Sequence, residues 1–373
     1  MPRRVITILI SVLLGSSLML LGSLVFISSG QPQPFLDDNG NVIAGSIAEK
    51  VFIDVNGVRQ GMFIKGKDAT KPVLLYLHGG MPDYFLTQQY PTGMDEDFTV
   101  VWWEQRGSGI SYAADIPRET LTVEQLITDA LTVTDYLRQR FKQDKIYLMG
   151  HSGGSFIGIQ AAARAPERYH AYIGVAQMSY QLESERMAHD YMLREYNKRG
   201  NSSMVKKLED APVTKDGAPT AYVAFRDKAM HELGIGTMHN MRSLLFGIVV
   251  PSLRFREYTL TEKINLWRGK SGAGISVIWD QMVTTDLRKT VPELAVPVYF
   301  LEGRWDYTCN YQLARSYFDV LRAPVKGFYS FDHSAHSPMF EEPKRFGEIL
   351  RHDVLSGRTK LSDEEGSSQK GFR

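Results

Sequence analysis

The chain has 373 residues, of which 43% are hydrophobic and 23% are charged. These fractions are typical of a globular protein and exclude a disordered, collagen-like or polytopic membrane chain, and a formal net charge of +1 gives no basic field that would attract nucleic acid. The single cysteine, Cys309, excludes an intrachain disulfide and a cysteine-based zinc site.

An uncharged apolar run over residues 5–27 follows two arginines at the start of the chain. A signal-peptide core is usually about 7–15 apolar residues long, whereas a membrane-spanning helix needs about 20. The length therefore favours an uncleaved membrane anchor within residues 1–30, with signal-peptidase cleavage near Ser28 or Gly30 as the alternative. Positive charge before the run predicts that the rest of the chain lies outside the cytoplasm, anchored or, after cleavage, secreted.

Strand patterns dominate the next part of the chain. Residues 31–50 contain proline, glycine and asparagine and are predicted to form a linker, and residues 51–54 and 57–64 predict a β-hairpin that turns at Asn56-Gly57. Continuous apolar runs of strand length, typical of buried parallel strands, follow at residues 73–77, 98–103, 146–149, 171–176, 298–301 and 325–331.

Helical patterns lie between these runs, at residues 123–141, with Thr122 as the N-cap, and at residues 153–164. This alternation predicts a doubly wound, mostly parallel sheet. It stops between residues 179 and 290, which predict a helical insertion over the edge of the sheet where α/β proteins bind ligands. The predicted organisation is therefore a core over residues 51–178 and 291–356, a helical cap over 179–290, and a polar, disordered tail over 357–373.

The segment Gly150-His151-Ser152-Gly153-Gly154 matches G-x-S-x-G and lies between a predicted strand and a predicted helix. This is the context of a nucleophile elbow, a tight turn that projects a serine oxygen above the sheet. The helix N-terminus behind Ser152 adds partial positive charge where an oxyanion would form. Ser152 is therefore the predicted nucleophile.

A nucleophilic serine needs a base, usually a histidine held by a carboxylate, and in this fold the chain order is serine, acid, histidine. Asp306 comes shortly after the predicted strand that ends at Leu301 and is the predicted acid, whereas Glu302, nearer the strand end, is expected to cap the turn. His333 and His336 both follow the last predicted strand, and spacing alone does not choose between them.

The loop after the first buried strand contains His78-Gly79-Gly80, and glycines at this point let the backbone approach a substrate carbonyl. The N–H groups of Gly80 and Gly153 are the predicted oxyanion hole. The sequence has no H-E-x-x-H and no other metal-binding spacing, so we expect neither a metal nor a cofactor.

Five motifs occur in a fixed order: H-G-G-M-P at 78–82, E-Q-R-G-S-G-I-S at 104–111, G-H-S-G-G at 150–154, G-R-W-D at 303–306 and S-A-H-S-P at 334–338. Over about residues 50–355 the chain resembles α/β-hydrolases of the proline iminopeptidase (prolyl aminopeptidase) group. The resemblance implies an α/β-hydrolase fold and a triad of Ser152, His336 and Asp306, because S-A-H-S-P assigns the base to His336 rather than His333.

Two motifs depart from the pattern of that group, since Met81-Pro82 replaces Pro-Gly and Glu104 replaces an aspartate. In aminopeptidases of the group, acids of the cap hold the free amino group of the substrate. The predicted cap has several acids that could do so, including Glu183, Glu185, Asp190 and Glu195.

The sequence and the resemblance together favour a serine hydrolase that forms an acyl-enzyme, acting as an aminopeptidase on small peptides or aminoacyl amides. A carboxylesterase or amidase acting on small or lipid-derived esters is the alternative, and a non-enzymatic binding module on a hydrolase scaffold is a third reading. Buried acids in the pocket would favour the aminopeptidase, and an apolar pocket would favour the esterase.

Overall fold

The structure of the protein is a computed structural model that describes Met19 and residues 22–363. The predicted anchor at residues 5–27 therefore lies mostly outside the described residues. Among the residues that are described, no helix is long and apolar enough to cross a membrane.

Eight strands form one mixed sheet in the order β1-β2-β4-β3-β5-β6-β7-β8. The strands are β1 (Ile47–Val55), β2 (Val58–Gly66), β3 (Val73–Leu77), β4 (Thr99–Glu104), β5 (Ile146–His151), β6 (Tyr169–Val175), β7 (Val298–Gly303) and β8 (Lys326–Phe331). The pairs β1–β2 and β2–β4 are antiparallel, and all other neighbours are parallel. The predicted mostly parallel sheet is confirmed.

The hairpin turns at Asn56-Gly57, as predicted, with both residues in the left-handed region that such a two-residue turn requires. β1 begins at Ile47, which pairs with Gly66, so the strand extends four residues into the segment predicted to be a linker. The polar residues before the hairpin obscured this start, because an edge strand does not need a continuous apolar run.

Two helices of the core have the predicted bounds: α1 (Val123–Phe141) and α2 (Gly153–Arg164). Thr122 caps α1 by accepting a hydrogen bond from the N–H of Gln125 at 3.1 Å. The insertion contains α3 (Gln181–Lys198), α4 (Ser202–Glu209), α5 (Thr220–Leu233), α6 (Val250–Arg254), α7 (Leu260–Gly272), α8 (Trp279–Thr284) and α9 (Leu287–Thr290). The core then continues with α10 (Tyr311–Val320), α11 (Pro338–Glu341) and α12 (Pro343–Ile349).

Both faces of the sheet are buried. Along β3, Val73, Leu75 and Leu77 pack into one hydrophobic cluster, and Leu74 and Tyr76 pack into another on the opposite face. Alternation of side chains between two buried faces explains why the strands read as unbroken apolar runs. A third cluster lies mainly on α3, α4 and α5, with Val283 of α8 among its other members, so the helical cap has a core of its own.

The tail departs from its prediction between residues 357 and 363. The N–H groups of Lys360 and Leu361 donate to the buried carboxylate of Asp353, and Asp363 accepts a hydrogen bond from the N–H of Ser330 at 3.3 Å. The predicted disorder is therefore wrong for this stretch, because a buried carboxylate needs hydrogen-bond donors and the tail supplies them. Residues 364–373 lie outside the described residues.

Candidate active site

Ser152 lies on the turn between β5 and α2, in a strained conformation with φ 55° and ψ −124°. Such a backbone costs about 1–3 kcal/mol and persists only where the surroundings enforce it. The neighbouring residues are glycines because the turn has no room for a Cβ atom. A Cβ at Gly150 would lie 2.5 Å from the carbonyl oxygen of Gly154, and a Cβ at Gly154 would lie 2.1 Å from the carbonyl oxygen of Leu77. The turn is therefore a nucleophile elbow by geometry as well as by sequence.

Asp306 and His336 meet beside this turn. His336 Nδ1 lies 2.8 Å from Asp306 Oδ2, while the other oxygen of Asp306 accepts the N–H groups of Thr308 and Cys309 at 2.7 and 2.9 Å. Asp306 is fully buried. With Nδ1 engaged, Nε2 is the nitrogen of His336 that remains for proton transfer.

His333 is exposed, and its N–H donates to Glu342, outside the cavity. The structure thus brings Asp306 together with His336 and not with His333. This distinction follows from the turn after β8, which spacing alone did not resolve.

Ser152 and His336 line one cavity of about 590 Å³, a size typical of small-ligand sites. Cys309 also lines it, but burial raises the pKa of its thiol well above the usual value. The thiol therefore stays protonated, and a protonated thiol is a poor nucleophile.

The two residues predicted for the oxyanion hole, Gly80 and Gly153, line the same cavity. A Cβ at Gly79 would lie 2.7 Å from the Cβ of Ser152, so a glycine is needed for the loop to approach the elbow. His78 holds this loop: its Nδ1 donates to the carbonyl of Gly79 at 2.8 Å, and its Nε2 accepts the N–H of Gln105 at 3.1 Å. Burial lowers the pKa of His78 to about 4, so the ring is neutral and this tautomer is retained.

Sequence reasoning did not assign a role to His151, the variable residue of the elbow motif. Its Nε2 lies 2.8 Å from the carbonyl oxygen of His336 and its Nδ1 lies 3.1 Å from Asp83 Oδ2, to which Tyr76 also donates at 2.6 Å. His151 thereby ties the elbow to the loop that carries the base. In the sequence, the only sign of this role is a polar residue at the variable position of the motif.

Glu302 does not cap a turn, so that prediction is wrong. It lies within β7, fully buried, and accepts the N–H of Gln177 at 2.9 Å. Burial raises its pKa well above the usual value, with the nearby Asp306 charge adding to the effect. Burial thus favours the neutral form of Glu302, and its hydrogen bond joins β7 to the loop after β6.

The cap contributes a charged cluster to the cavity, centred on Arg226. Its Nη2 and Nε bind the two oxygens of Glu185 at 2.6 and 2.7 Å, and its Nη1 binds Asp227 at 2.6 Å. Arg226 and Asp227 line the cavity, and so does His231, which sequence reasoning left without a role. Of the four acids considered for the cap, Glu185 is thus part of the cluster but is covered by its arginine.

Lys270 of α7 and Asp83 also line the cavity, and the rest of the lining is largely apolar. It includes Met178, Met230, Trp267, Trp279, Met282 and Phe340. Within the described part of the chain, histidine, cysteine and carboxylate side chains form no cluster that could hold a metal ion.

A mixed sheet with a buried aspartate–histidine pair beside a strained serine elbow defines a serine hydrolase of the α/β-hydrolase superfamily. Residues 68–229 match the family described as serine aminopeptidase, S33. The chain is 29% identical over 314 residues to the probable aminopeptidase YbaC of Bacillus subtilis (strain 168), an alignment that covers 82% of this chain and 96% of YbaC.

Solved structures share the fold at low sequence identity. VinJ superposes with a TM-score of 0.58 at 18% identity, over 83% of this chain and 98% of VinJ. A proline iminopeptidase-related protein from Thermus thermophilus superposes with a TM-score of 0.51 at 17% identity, over 82% of this chain and 98% of that one.

Proposed function

We propose that the protein is an aminopeptidase that cleaves small peptides or aminoacyl amides through an acyl-enzyme. The observation that carries the proposal is an excess of carboxylate in the cap cluster, where Glu185 and Asp227 share a single guanidinium. Lys270, which lines the same cavity, offsets the net charge of −1 that these three residues have by themselves. Despite burial, Arg226 and Lys270 lower the pKa of Asp227, so Asp227 is an ionised carboxylate that an ammonium group can bind. Asp227 is the exposed member, with 59% of its side chain accessible, and is the candidate partner of the substrate amine.

The proposed chemistry uses the residues of the elbow and the two adjacent loops. Ser152 attacks the substrate carbonyl while His336 Nε2 takes its proton, and Asp306 stabilises the imidazolium that forms. The N–H groups of Gly80 and Gly153 stabilise the oxyanion. His336 then gives the proton to the leaving amine, and a water molecule, activated by the same base, releases the acyl group from Ser152.

An esterase or amidase is the second candidate, because apolar side chains, methionines and tryptophans among them, provide much of the cavity lining. An apolar acyl chain fits such a lining better than a charged amine does. The two candidates differ in whether a free amino group improves binding.

Kinetics on matched substrates separate the two candidates. Prolyl and alanyl naphthylamides are compared with their N-acylated forms and with p-nitrophenyl esters, using the full chain, Ser152→Ala and Asp227→Asn. We expect Ser152→Ala to lose all turnover and Asp227→Asn to raise KM for free aminoacyl substrates by about tenfold, without a matching change for esters.

Asp190→Asn is the matched control, because Asp190 is an acid on α3 that pairs with Arg186 outside the cavity lining. Equal turnover of free and N-acylated substrates would remove the aminopeptidase proposal in favour of the esterase. Residual activity in Ser152→Ala would remove the serine mechanism itself.

We also propose that residues 5–27 anchor the protein in a membrane, with the hydrolase outside the cytoplasm. The support is the length of the apolar run and the two arginines before it. Extraction of membranes at alkaline pH tests the anchor: the full chain should stay in the pellet, and its release into the supernatant would contradict the anchor.

A further inference from the structure

We propose that the cap segment 241–272 docks on the surface of an anionic phospholipid bilayer. The inference rests on the proposed anchor and does not depend on the aminopeptidase activity. Three features of the described residues carry it: exposed apolar side chains, exposed cations without ion-pair partners, and the point at which the chain leaves the proposed anchor.

The apolar side chains lie on the π-helical turn Leu245–Val249, on α6 and on α7. Phe246 is 68% exposed and Leu245 is 53% exposed, and Leu253 and Ile264 are also exposed. Single exposed apolar residues are ordinary, but a group of large ones marks an interaction surface. We call these four residues the apolar patch.

The charges of the same segment are strongly biased. Its exposed charged residues are all basic: Lys270, which lines the catalytic cavity, and Arg242, Arg254, Arg256 and Arg268, which do not. None of these four arginines forms an ion pair with a residue that the structure describes. The two acids are unavailable, because Glu257 is buried with Lys65 and Glu262 pairs with Lys50 at 2.9 Å.

Apolar side chains flanked by arginine and lysine are the composition of a segment that lies in the interface of an anionic membrane. Each basic residue near such a surface adds to the electrostatic attraction. The bias is local, since the whole chain carries a formal net charge of only +1.

The chain leaves the proposed anchor at this same surface. Lys263 Nζ donates to Ser28 Oγ and to the carbonyl of Leu253, both at 2.7 Å. One residue further, Ser29 Oγ donates to the carbonyl of Arg256 at 3.0 Å. Since the apolar run ends at Ile27 and consecutive residues span at most about 3.6 Å, a membrane-embedded run holds this part of the cap at the lipid surface.

The docked segment is also a wall of the catalytic cavity. Leu244, Ile248 and Val249 line the cavity, whereas Leu245 and Phe246, between them in sequence, are exposed. Docking would therefore place lipid against the outer side of the segment whose inner side faces the substrate.

Quenching of a fluorophore by nitroxide-labelled lipid tests the contact in the full-length protein. Phe246→Cys is labelled with a maleimide fluorophore and reconstituted in nanodiscs of phosphatidylglycerol and phosphatidylcholine. Cys309 is 3% exposed, so the introduced cysteine is the one that reacts, and the unsubstituted protein measures any background. Val320→Cys, at an apolar position 56% exposed on α10, is the matched control.

We expect a blue shift and at least about twofold stronger quenching at position 246 than at position 320. The charge reversals Arg254→Glu and Arg256→Glu together should abolish the difference, whereas Arg118→Glu with Lys207→Glu, the same charge change at exposed sites elsewhere, should preserve it.

Equal quenching at the two positions would overturn the docking surface even if the protein is incorporated in the nanodisc and hydrolyses its substrate. A blue shift at position 246 without quenching would also overturn it, because the patch would then be covered by protein, either residues 5–27 or a second copy. Failure of the full chain to enter nanodiscs would overturn the anchor and the docking surface together, and would leave the aminopeptidase proposal to its own kinetic test.

Discussion

At the scale of single residues, two carboxyl groups near the end of β7 differ because their surroundings differ. Asp306 accepts two backbone N–H groups and pairs with His336, whereas Glu302 accepts one N–H and is fully buried, which raises its pKa. Stabilisation of an imidazolium requires a negative charge, so only Asp306 suits that task.

Exchange of each carboxyl group for an amide tests this assignment. Asp306→Asn should lower kcat/KM by about 10⁴-fold with little change in thermal unfolding, because the amide favours the wrong tautomer of His336. Glu302→Gln should change kcat/KM by less than about threefold, since burial favours the neutral form of this carboxyl group and the amide has the same size and no charge. Steady-state kinetics and melting curves of both variants measure this, and comparable losses of activity in the two would contradict the assignment.

At the scale of elements, the strand-turn-helix unit around Ser152 requires glycines, because a side chain at these positions would lie too close to neighbouring backbone atoms. Gly154→Ala should destabilise the fold by about 3 kcal/mol or more, because its Cβ would lie 2.1 Å from a backbone oxygen of β3 and neither element can move independently. Gly347→Ala on α12 is the matched control, since nothing lies within 4 Å of its Cβ position, and it should stabilise the fold by about 0.5–1 kcal/mol. Urea denaturation gives both values, and a Gly154→Ala protein as stable as the wild type would mean that the elbow is less tightly packed than the structure indicates.

The elements also differ in how far the sequence predicts them. The bounds of α1 and α2 and the place of Ser152 follow from local signals: an N-cap threonine, a helical period and glycines that a tight turn requires. The contact of Arg226 with Glu185 joins residues 41 positions apart in the sequence, and no local pattern predicts it. The ordered tail at Asp363 was missed because its partner Ser330 lies in a different strand, and the strand start at Ile47 was missed because the edge strand begins among polar residues.

At the scale of the whole molecule, buried acids make stability depend on pH. Burial raises the pKa of Glu104 to about 8, although hydrogen bonds from Tyr258 and the N–H of Ile110 oppose the shift. A group with a raised folded-state pKa contributes stability that is fully present below its unfolded value near 4.5 and is lost as the pH rises through about 8. His78 acts in the opposite sense, because its pKa is lowered to about 4, so its contribution is present above pH 6.5 and is lost as the pH falls toward 4.

Glu104→Gln isolates the alkaline limb of this dependence. The amide keeps the size of the neutral acid and cannot ionise, so the free energy of unfolding should fall less between pH 6 and pH 9 than in the wild type, by about 2–3 kcal/mol. The control is Glu96→Gln, at an exposed acid paired with Lys67, which should leave the slope of the wild type unchanged.

Denaturant unfolding at a series of pH values measures the slopes, and a Glu104→Gln curve parallel to that of the wild type would mean that Glu104 is ionised in the folded protein. A smaller slope would show that the acid which replaces aspartate in the second motif retains its proton in the folded protein at neutral pH.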